Sequence, residues 1–190
     1  MHAWLDSALS YPDGERNDAG TLMTMAAEEL IAHGHGDQAG PVLVRAIQFY
    51  RTLPAQQTDF YDRLDLARTL LFAERLEEAE SVALSLATGD ADQLAIGTGL
   101  LGAIAARRGD RIEAEAHIAR IDSLSATLSR PLEIGPYWQA QIRAWLGDND
   151  EAIRLLRQTF GPQGRDLHEA LEFRPLADDP DFQELQRPKG

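Results

Sequence analysis

This 190-residue sequence predicts an all-α fold of about four antiparallel helix pairs with a C-terminal helical cap. Three observations support this: small residues recur in one frame, glycine occupies most turn positions of that frame, and apolar residues follow at helical spacing. The frame divides the chain into three parts. Residues 1–19 form a partial repeat helix or linker, residues 20–160 form four helix pairs, and residues 161–190 form capping helices and a tail.

Each frame places a small residue in a first apolar stretch and an alanine twelve residues later in a second stretch. The turn position lies five residues before that alanine, and glycine there suits the left-handed backbone that commonly closes a helix. Because antiparallel helices approach closely only where side chains are small, we expect these residues to mark the helix crossings. The pairs are Ala27/Ala39, Ala67/Ala79, Gly102/Ala114 and Ala140/Ala152, with turn positions Gly34, Glu74, Gly109 and Gly147.

The two ends of the chain depart from this frame. Near the C-terminus, Asp179 and Pro180 have the residue types of an N-cap and a first helical turn. A short helix carrying Phe182 and Leu185 is therefore expected to cover the fourth pair, since terminal repeats need a cap. At the N-terminus, the apolar residues around Trp4 suggest a second helix without its first. We therefore expect the sequence to be the C-terminal part of a longer protein.

Residues 108–114 (Arg-Gly-Asp-Arg-Ile-Glu-Ala) and 146–153 (Leu-Gly-Asp-Asn-Asp-Glu-Ala-Ile) resemble the turn and second helix of the tetratricopeptide repeat (TPR) family, and the tail resembles the closing segment of bacterial members. The resemblance covers roughly residues 20–160. It implies a right-handed superhelix (an α-solenoid) whose concave face binds a protein or peptide. It also implies a module that often follows an enzyme, kinase or regulatory domain in bacterial proteins.

Projecting the first helix of each pair gives the residues expected on the concave face. Aromatic residues and arginine dominate binding hot spots, so they weigh most in the choice. The candidate partner-binding residues are Tyr61, Leu64, Arg68, Phe72, Arg107, Tyr137, Gln141 and Trp145. The expected function is a scaffold that holds a protein or peptide, without catalysis and without a cofactor. The alternative is a structural module that self-associates as a homo-oligomer or braces a neighbouring domain.

Composition excludes several other function classes. The formal charge of −13 repels phosphate backbones and anionic lipids, so neither nucleic acid nor membrane is an expected partner. The absence of cysteine excludes disulfides and thiolate metal sites. No apolar run is long enough to span a bilayer and no signal peptide is recognisable, so a cytoplasmic location is expected.

Two motifs suggest chemistry but have simpler interpretations. His33, His35 and Asp37 form a His-x-His-x-Asp pattern found in binuclear zinc hydrolases, so a metal-dependent hydrolase is a further alternative; the segment nevertheless lies on a predicted inter-helix turn. Gly97-x-Gly99-x-x-Gly102 matches a dinucleotide-binding pattern, but it lies within a predicted helix and no strand precedes it.

Overall fold

A computed structural model describes residues 18–56, 58–160, 167 and 170–187, and the helices account for all regular structure in these residues. The predicted partial helix around Trp4 lies outside them. The helices are α1 (Ala19–Ala32), α2 (Gly36–Thr52), α3 (Phe60–Phe72), α4 (Leu76–Leu86), α5 (Ala91–Arg107), α6 (Arg111–Leu124), α7 (Ile134–Leu146), α8 (Asn149–Phe160) and α9 (Pro180–Gln186), with short 3-10 helices at Ser125–Thr127 and Leu171–Leu176. None of the helices described has the length and apolar character needed to cross a membrane.

The chain divides into two compact units, one ending at Val82 and the other beginning at Ala83. In the first unit, α1 packs against α2 and α3. In the second unit, α5 packs against α6 and α7 packs against α8, while the first helices α5 and α7 also contact each other. The predicted all-helical fold with neighbouring helix pairs is therefore confirmed.

All four predicted turn positions have the left-handed backbone that the frame requires. The φ angles are +78° at Gly34, +55° at Glu74, +76° at Gly109 and +80° at Gly147. In each turn, the N–H of this residue bonds to the carbonyl three positions earlier, and the next N–H bonds to the carbonyl five positions back, at 2.7 to 3.2 Å. This is the Schellman arrangement, which satisfies the last carbonyl groups of the first helix. The repeat frame thus predicted the turn at Glu74, although a glutamate by itself gives no indication of a left-handed backbone.

The alanines of the frame occupy equivalent environments. Ala39, Ala79, Ala114 and Ala152 are each no more than 1% exposed. Their partners Ala27, Ala67 and Ala140 are fully buried, and the fourth partner, Gly102, packs against His117 of α6 and Ile142 of α7. The burial of these small residues is what the predicted helix crossings require.

The C-terminal cap also forms as predicted. Asp179 Oδ1 accepts hydrogen bonds from the backbone N–H groups of Asp181 (3.0 Å) and Phe182 (3.4 Å), and Pro180 is the first residue of α9. Phe182 and Leu185 are buried in one hydrophobic cluster with residues of α7 and α8. The cap therefore removes from water the apolar surface that the last helix pair would otherwise expose.

Glycines in α5 permit unusually close contacts with its neighbours. A Cβ atom on Gly99 would lie within 3.0 Å of the Trp138 side chain in α7, and one on Gly97 would collide with the backbone at Leu86 and Ala87. With Gly102, these residues form the Gly-x-Gly-x-x-Gly pattern. Helix packing therefore accounts for all three glycines.

We expect Glu74→Gly to be about 1 kcal/mol more stable than Glu74→Ala, because a Cβ atom in the left-handed region costs roughly 1–2 kcal/mol. Both variants remove the same side chain beyond Cβ, so their difference isolates the backbone. Urea denaturation followed by circular dichroism measures it. Gly147→Ala, where a Cβ meets no atom within 4 Å, should lose a similar amount. Equal stability of the two Glu74 variants would contradict the argument.

We expect Gly99→Ala to lower the free energy of unfolding by about 1–3 kcal/mol, because overpacking against Trp138 outweighs the gain in helix propensity. Gly135→Ala is the matched control in the same unit, since its Cβ would make ordinary contacts at 3.6 and 3.7 Å. Gly40→Ala, open to solvent in α2, should gain about 0.5–1 kcal/mol. Thermal denaturation ranks the three variants, and a Gly99→Ala protein as stable as Gly40→Ala would refute the packing assignment.

Candidate functional site

The candidate residues fall into two patches, one in each unit. The first-unit patch consists of Tyr61, Leu64, Arg68 and Phe72 on α3. The second-unit patch consists of Arg107 at the end of α5 and Tyr137, Gln141 and Trp145 on α7.

A capping box at Asp59 starts α3 and so positions the first-unit patch. The Asp59 carboxylate accepts from the N–H groups of Tyr61 (2.7 Å) and Asp62 (3.0 Å), and Asp62 accepts from the Asp59 N–H at 2.8 Å. The four residues of this patch differ in how far their side chains are exposed to solvent. Tyr61 is 58% exposed, Leu64 and Arg68 are half-buried, and Phe72 is 8% exposed. Tyr61 and Arg68 are therefore the members of this patch that a partner can reach most readily.

Arg68 connects this patch to α1. Its guanidinium lies 3.5 Å from Glu28 and 3.9 Å from Asp65, and its Cζ is 5.7 Å from the centre of the Phe72 ring. The ion pairs and the cation–π contact hold the arginine over the apolar end of α3. The structure thus brings Arg68 and Phe72 together.

Polar side chains join α1, α2 and α3 in the first unit. Thr24 and Thr69 hydroxyls are 2.8 Å apart, and Thr21 donates to Asp65 at 3.2 Å while lying 3.2 Å from the Tyr50 hydroxyl. Burial raises the pKa of the Tyr50 phenol. These bonds supply partners for the polar groups that the close α1–α3 approach buries.

Burial also raises the pKa of the Asp65 carboxyl above its ordinary value of 3.8. Arg68 and the hydrogen bond from Thr21 oppose the rise, whereas the negative charges of Asp18 and Asp62 add to it. The charged form of Asp65 is therefore held in the folded state at a net cost in free energy.

The second-unit patch is held against the C-terminal segment. The Trp145 indole Nε1 donates to the backbone carbonyl of Glu172 at 2.9 Å, and the Tyr137 hydroxyl donates to the Glu172 carboxylate at 3.4 Å. On the other side of the indole, Arg107 Cζ lies 4.1 Å from the ring centre. The arginine and the 3-10 helix Leu171–Leu176 thus fix Trp145 from two directions.

Gln141, between Tyr137 and Trp145 on the same face of α7, is only 1% exposed. No hydrogen-bond partner for its Oε1 is found in the described part of the chain. Gln141 is therefore less accessible than the other candidates. Glu172, which is 3% exposed, is the residue that sequence reasoning missed. Its position between the buried Leu171 and Phe173 gave no local signal of a contact with α7.

The metal alternative finds no support in the described residues. No group of three or more histidine or acidic residues there is arranged to hold a metal ion. His33 caps the end of α1, with its side chain 73% exposed and 3.3 Å from Glu29, and His35 and Asp37 follow in the turn and the start of α2. The His-x-His-x-Asp pattern therefore lies on a Schellman turn.

Asp148, the residue immediately before α8, accepts hydrogen bonds from two arginines. Arg111 donates to it at 2.9 and 3.1 Å, and Arg143 donates to it at 2.9 Å while also pairing with Glu115. The hydrogen bond from Arg111 is the main cause of the lowered pKa of Asp148, followed by the hydrogen bond from Arg143. This network joins α6 to the α7–α8 turn. The Asp148 carboxylate therefore stabilises the contact between these elements.

Comparison of the chain with protein-family models, with curated proteins and with solved structures finds no match. The repeat frame and the geometry of the two patches are therefore the basis for a function.

We expect Asp65→Asn to raise the free energy of unfolding at pH 7, because burial of the charged carboxylate destabilises the folded state. The folded-state pKa is above the unfolded value, so the parent protein gains this stability back as the pH falls from neutral toward 3.8. The difference between the two proteins should therefore shrink with acidification. Urea denaturation at a series of pH values measures it.

Asp178→Asn, at an exposed carboxylate in the other unit, is the control and should show no such convergence. A constant difference between Asp65→Asn and the parent across that range would show that Asp65 is not destabilised by its charge.

Proposed function

We propose that this chain is a TPR-like module, a right-handed superhelix that binds a protein or peptide along the concave face of its first helices. One observation carries the proposal. Helix α7 holds a short piece of polypeptide, the 3-10 helix Leu171–Leu176, through the bond from Trp145 to the Glu172 carbonyl and the bond from Tyr137 to the Glu172 carboxylate.

The repeat frame relates the α7 residues at this contact to residues of the first-unit patch on α3. Tyr137, Gln141 and Trp145 stand at −3, +1 and +5 relative to the crossing residue Ala140. The same offsets from Ala67 give Leu64, Arg68 and Phe72. Because both sets project from a first helix at equivalent positions, the α3 set provides a comparable surface for a segment of another protein.

The chemistry of the first-unit patch suits such a segment. Tyr61 offers an exposed aromatic ring with a polar end, and Arg68 offers guanidinium N–H donors at the edge of an apolar side chain. Aromatic rings and arginine contribute most where they anchor a partner. Backbone carbonyl groups, which every peptide carries, are acceptors for both groups. The module thus acts by binding, and a cytoplasmic location is part of the same proposal.

The test uses peptides selected from a random display library on the full 190-residue chain, with affinities measured by fluorescence anisotropy. Tyr61→Ala and Arg68→Ala should each weaken the selected peptides at least tenfold, which corresponds to about 1.4 kcal/mol. The matched controls are Leu132→Ala for an exposed apolar side chain and Arg154→Ala for an exposed arginine, both in the second unit. They should change the affinity less than twofold.

Unchanged affinity in both Tyr61→Ala and Arg68→Ala would remove the first-unit patch from the proposal. Light scattering on the same samples examines the self-association alternative. If the chain dimerises and yields no peptide that binds, the structural role is correct and the peptide-binding role is wrong.

A further inference from the structure

A cavity of about 360 Å³ lies in the second unit, beside the start of α7. Its apolar wall is formed by Ile96 of α5, Ile134 and Trp138 of α7, and Phe160 at the end of α8. Ile134 and Trp138 are buried, whereas Ile96 and Phe160 are half-buried. Small-ligand sites are typically apolar clefts of roughly 300–1,000 Å³ with a few well-placed polar groups. The volume and the apolar wall of this cavity, which is broadly open to solvent, fall at the lower end of that class.

One positive and one negative side chain lie at the solvent end of the cavity. Arg130 and Glu133 belong to the turn before α7, with side chains 65% and 54% exposed, and Arg130 Nη1 is 3.1 Å from Glu133 Oε2. Exposed pairs of this kind contribute little to stability, because water competes for both charges. The two groups can therefore exchange their mutual contact for contacts with a ligand at small cost.

The two hydroxyl groups of the wall are already engaged. The Tyr137 hydroxyl donates to Glu172 at 3.4 Å, and Thr159 Oγ1 donates to the Leu155 carbonyl at 3.0 Å. Among the described lining residues, charge recognition therefore rests with the pair at the mouth. The interior offers aliphatic contacts and the edges and faces of aromatic rings.

We propose that this cavity binds a free α-amino acid with a large apolar side chain, preferably an aromatic one. The carboxylate of the ligand contacts Arg130, its ammonium group contacts Glu133, and its side chain packs against Trp138 and Phe160. A simple carboxylic acid would place a second negative charge beside Glu133, and a simple amine would place a second positive charge beside Arg130. The zwitterion alone satisfies both residues, so the mouth selects for it.

This site shares Tyr137 with the second-unit patch, but it recognises a different chemistry from the proposed peptide-binding face. The interior of a peptide carries neither backbone charge, and either terminus carries only one of the two. The ligand is consequently a free metabolite, and the cavity would make binding of that metabolite a second property of the module.

Isothermal titration calorimetry of the full chain with L-phenylalanine tests the proposal. We expect saturable binding with a dissociation constant in the millimolar range or tighter. Phenylacetate and phenethylamine, which each lack one charge, and glycine, which lacks the side chain, should bind at least tenfold more weakly. Absence of saturation by L-phenylalanine, or equal binding of phenylacetate, would overturn the assignment.

Arg130→Gln and Glu133→Gln should each weaken L-phenylalanine at least tenfold, and their exposure makes loss of the fold easy to check by circular dichroism. Arg154→Gln is the matched control, because it breaks another exposed pair at three-residue spacing, with Glu151 at 2.7 Å on α8. Unchanged affinity in both mouth variants would place the ligand elsewhere. Tyr61→Ala should leave L-phenylalanine binding intact, so failure here and failure of the peptide-binding proposal are distinguishable.

Discussion

The structure depends on the close approach of paired helices at residues with little or no side chain. Fully buried Ala27 and Ala140 allow the backbone of a first helix to lie near its second helix, and Gly102 does the same in α5. The left-handed turn fixes the direction in which the second helix returns, so turn and crossing must occur at a constant spacing. The twelve-residue interval between the small residues of each pair reflects this constant spacing. A larger side chain at a crossing would push the pair apart, and the candidate face on each first helix would lose its position.

A second constraint acts on the helix pair α7–α8, whose apolar surface must also be covered. The 3-10 helix Leu171–Leu176 and α9 supply the missing apolar contacts with Phe173, Phe182 and Leu185. The same arrangement brings Glu172 into a buried position, where a carboxylate is costly unless it is hydrogen-bonded. Capping thus gives α7 polar contacts as well as apolar ones. One surface serves both to complete the fold and to hold a piece of polypeptide.

The features that could be predicted from the sequence are those determined by residues close together in the chain. The turn geometry, the buried crossing alanines and the Asp179 cap follow from residues within a few positions of one another. Glu74 is instructive because its residue type disfavours the left-handed backbone, and only the frame predicted it. The contacts of Trp145 and Tyr137 with Glu172 span 27 and 35 residues, and no periodic pattern specifies such a pairing. The cavity beside α7 depends on the same kind of long-range packing, so it could not be read from the sequence either.

Charge in this chain is organised in pairs, which limits what its surfaces can recognise. Despite the net charge of −13, Arg68 is held by Glu28 and Asp65, and Arg143 is held by Glu115 and Asp148. An arginine already paired in this way attracts a distant anion weakly, because the field of its partner cancels much of its own. Recognition near it must then come from short-range contacts, namely aromatic packing and hydrogen bonds to groups placed within about 3 Å. Such contacts discriminate by shape and by the position of individual donors. The proposed binding module would therefore select partners by fit, and its excess negative charge would repel nucleic acids and other polyanions.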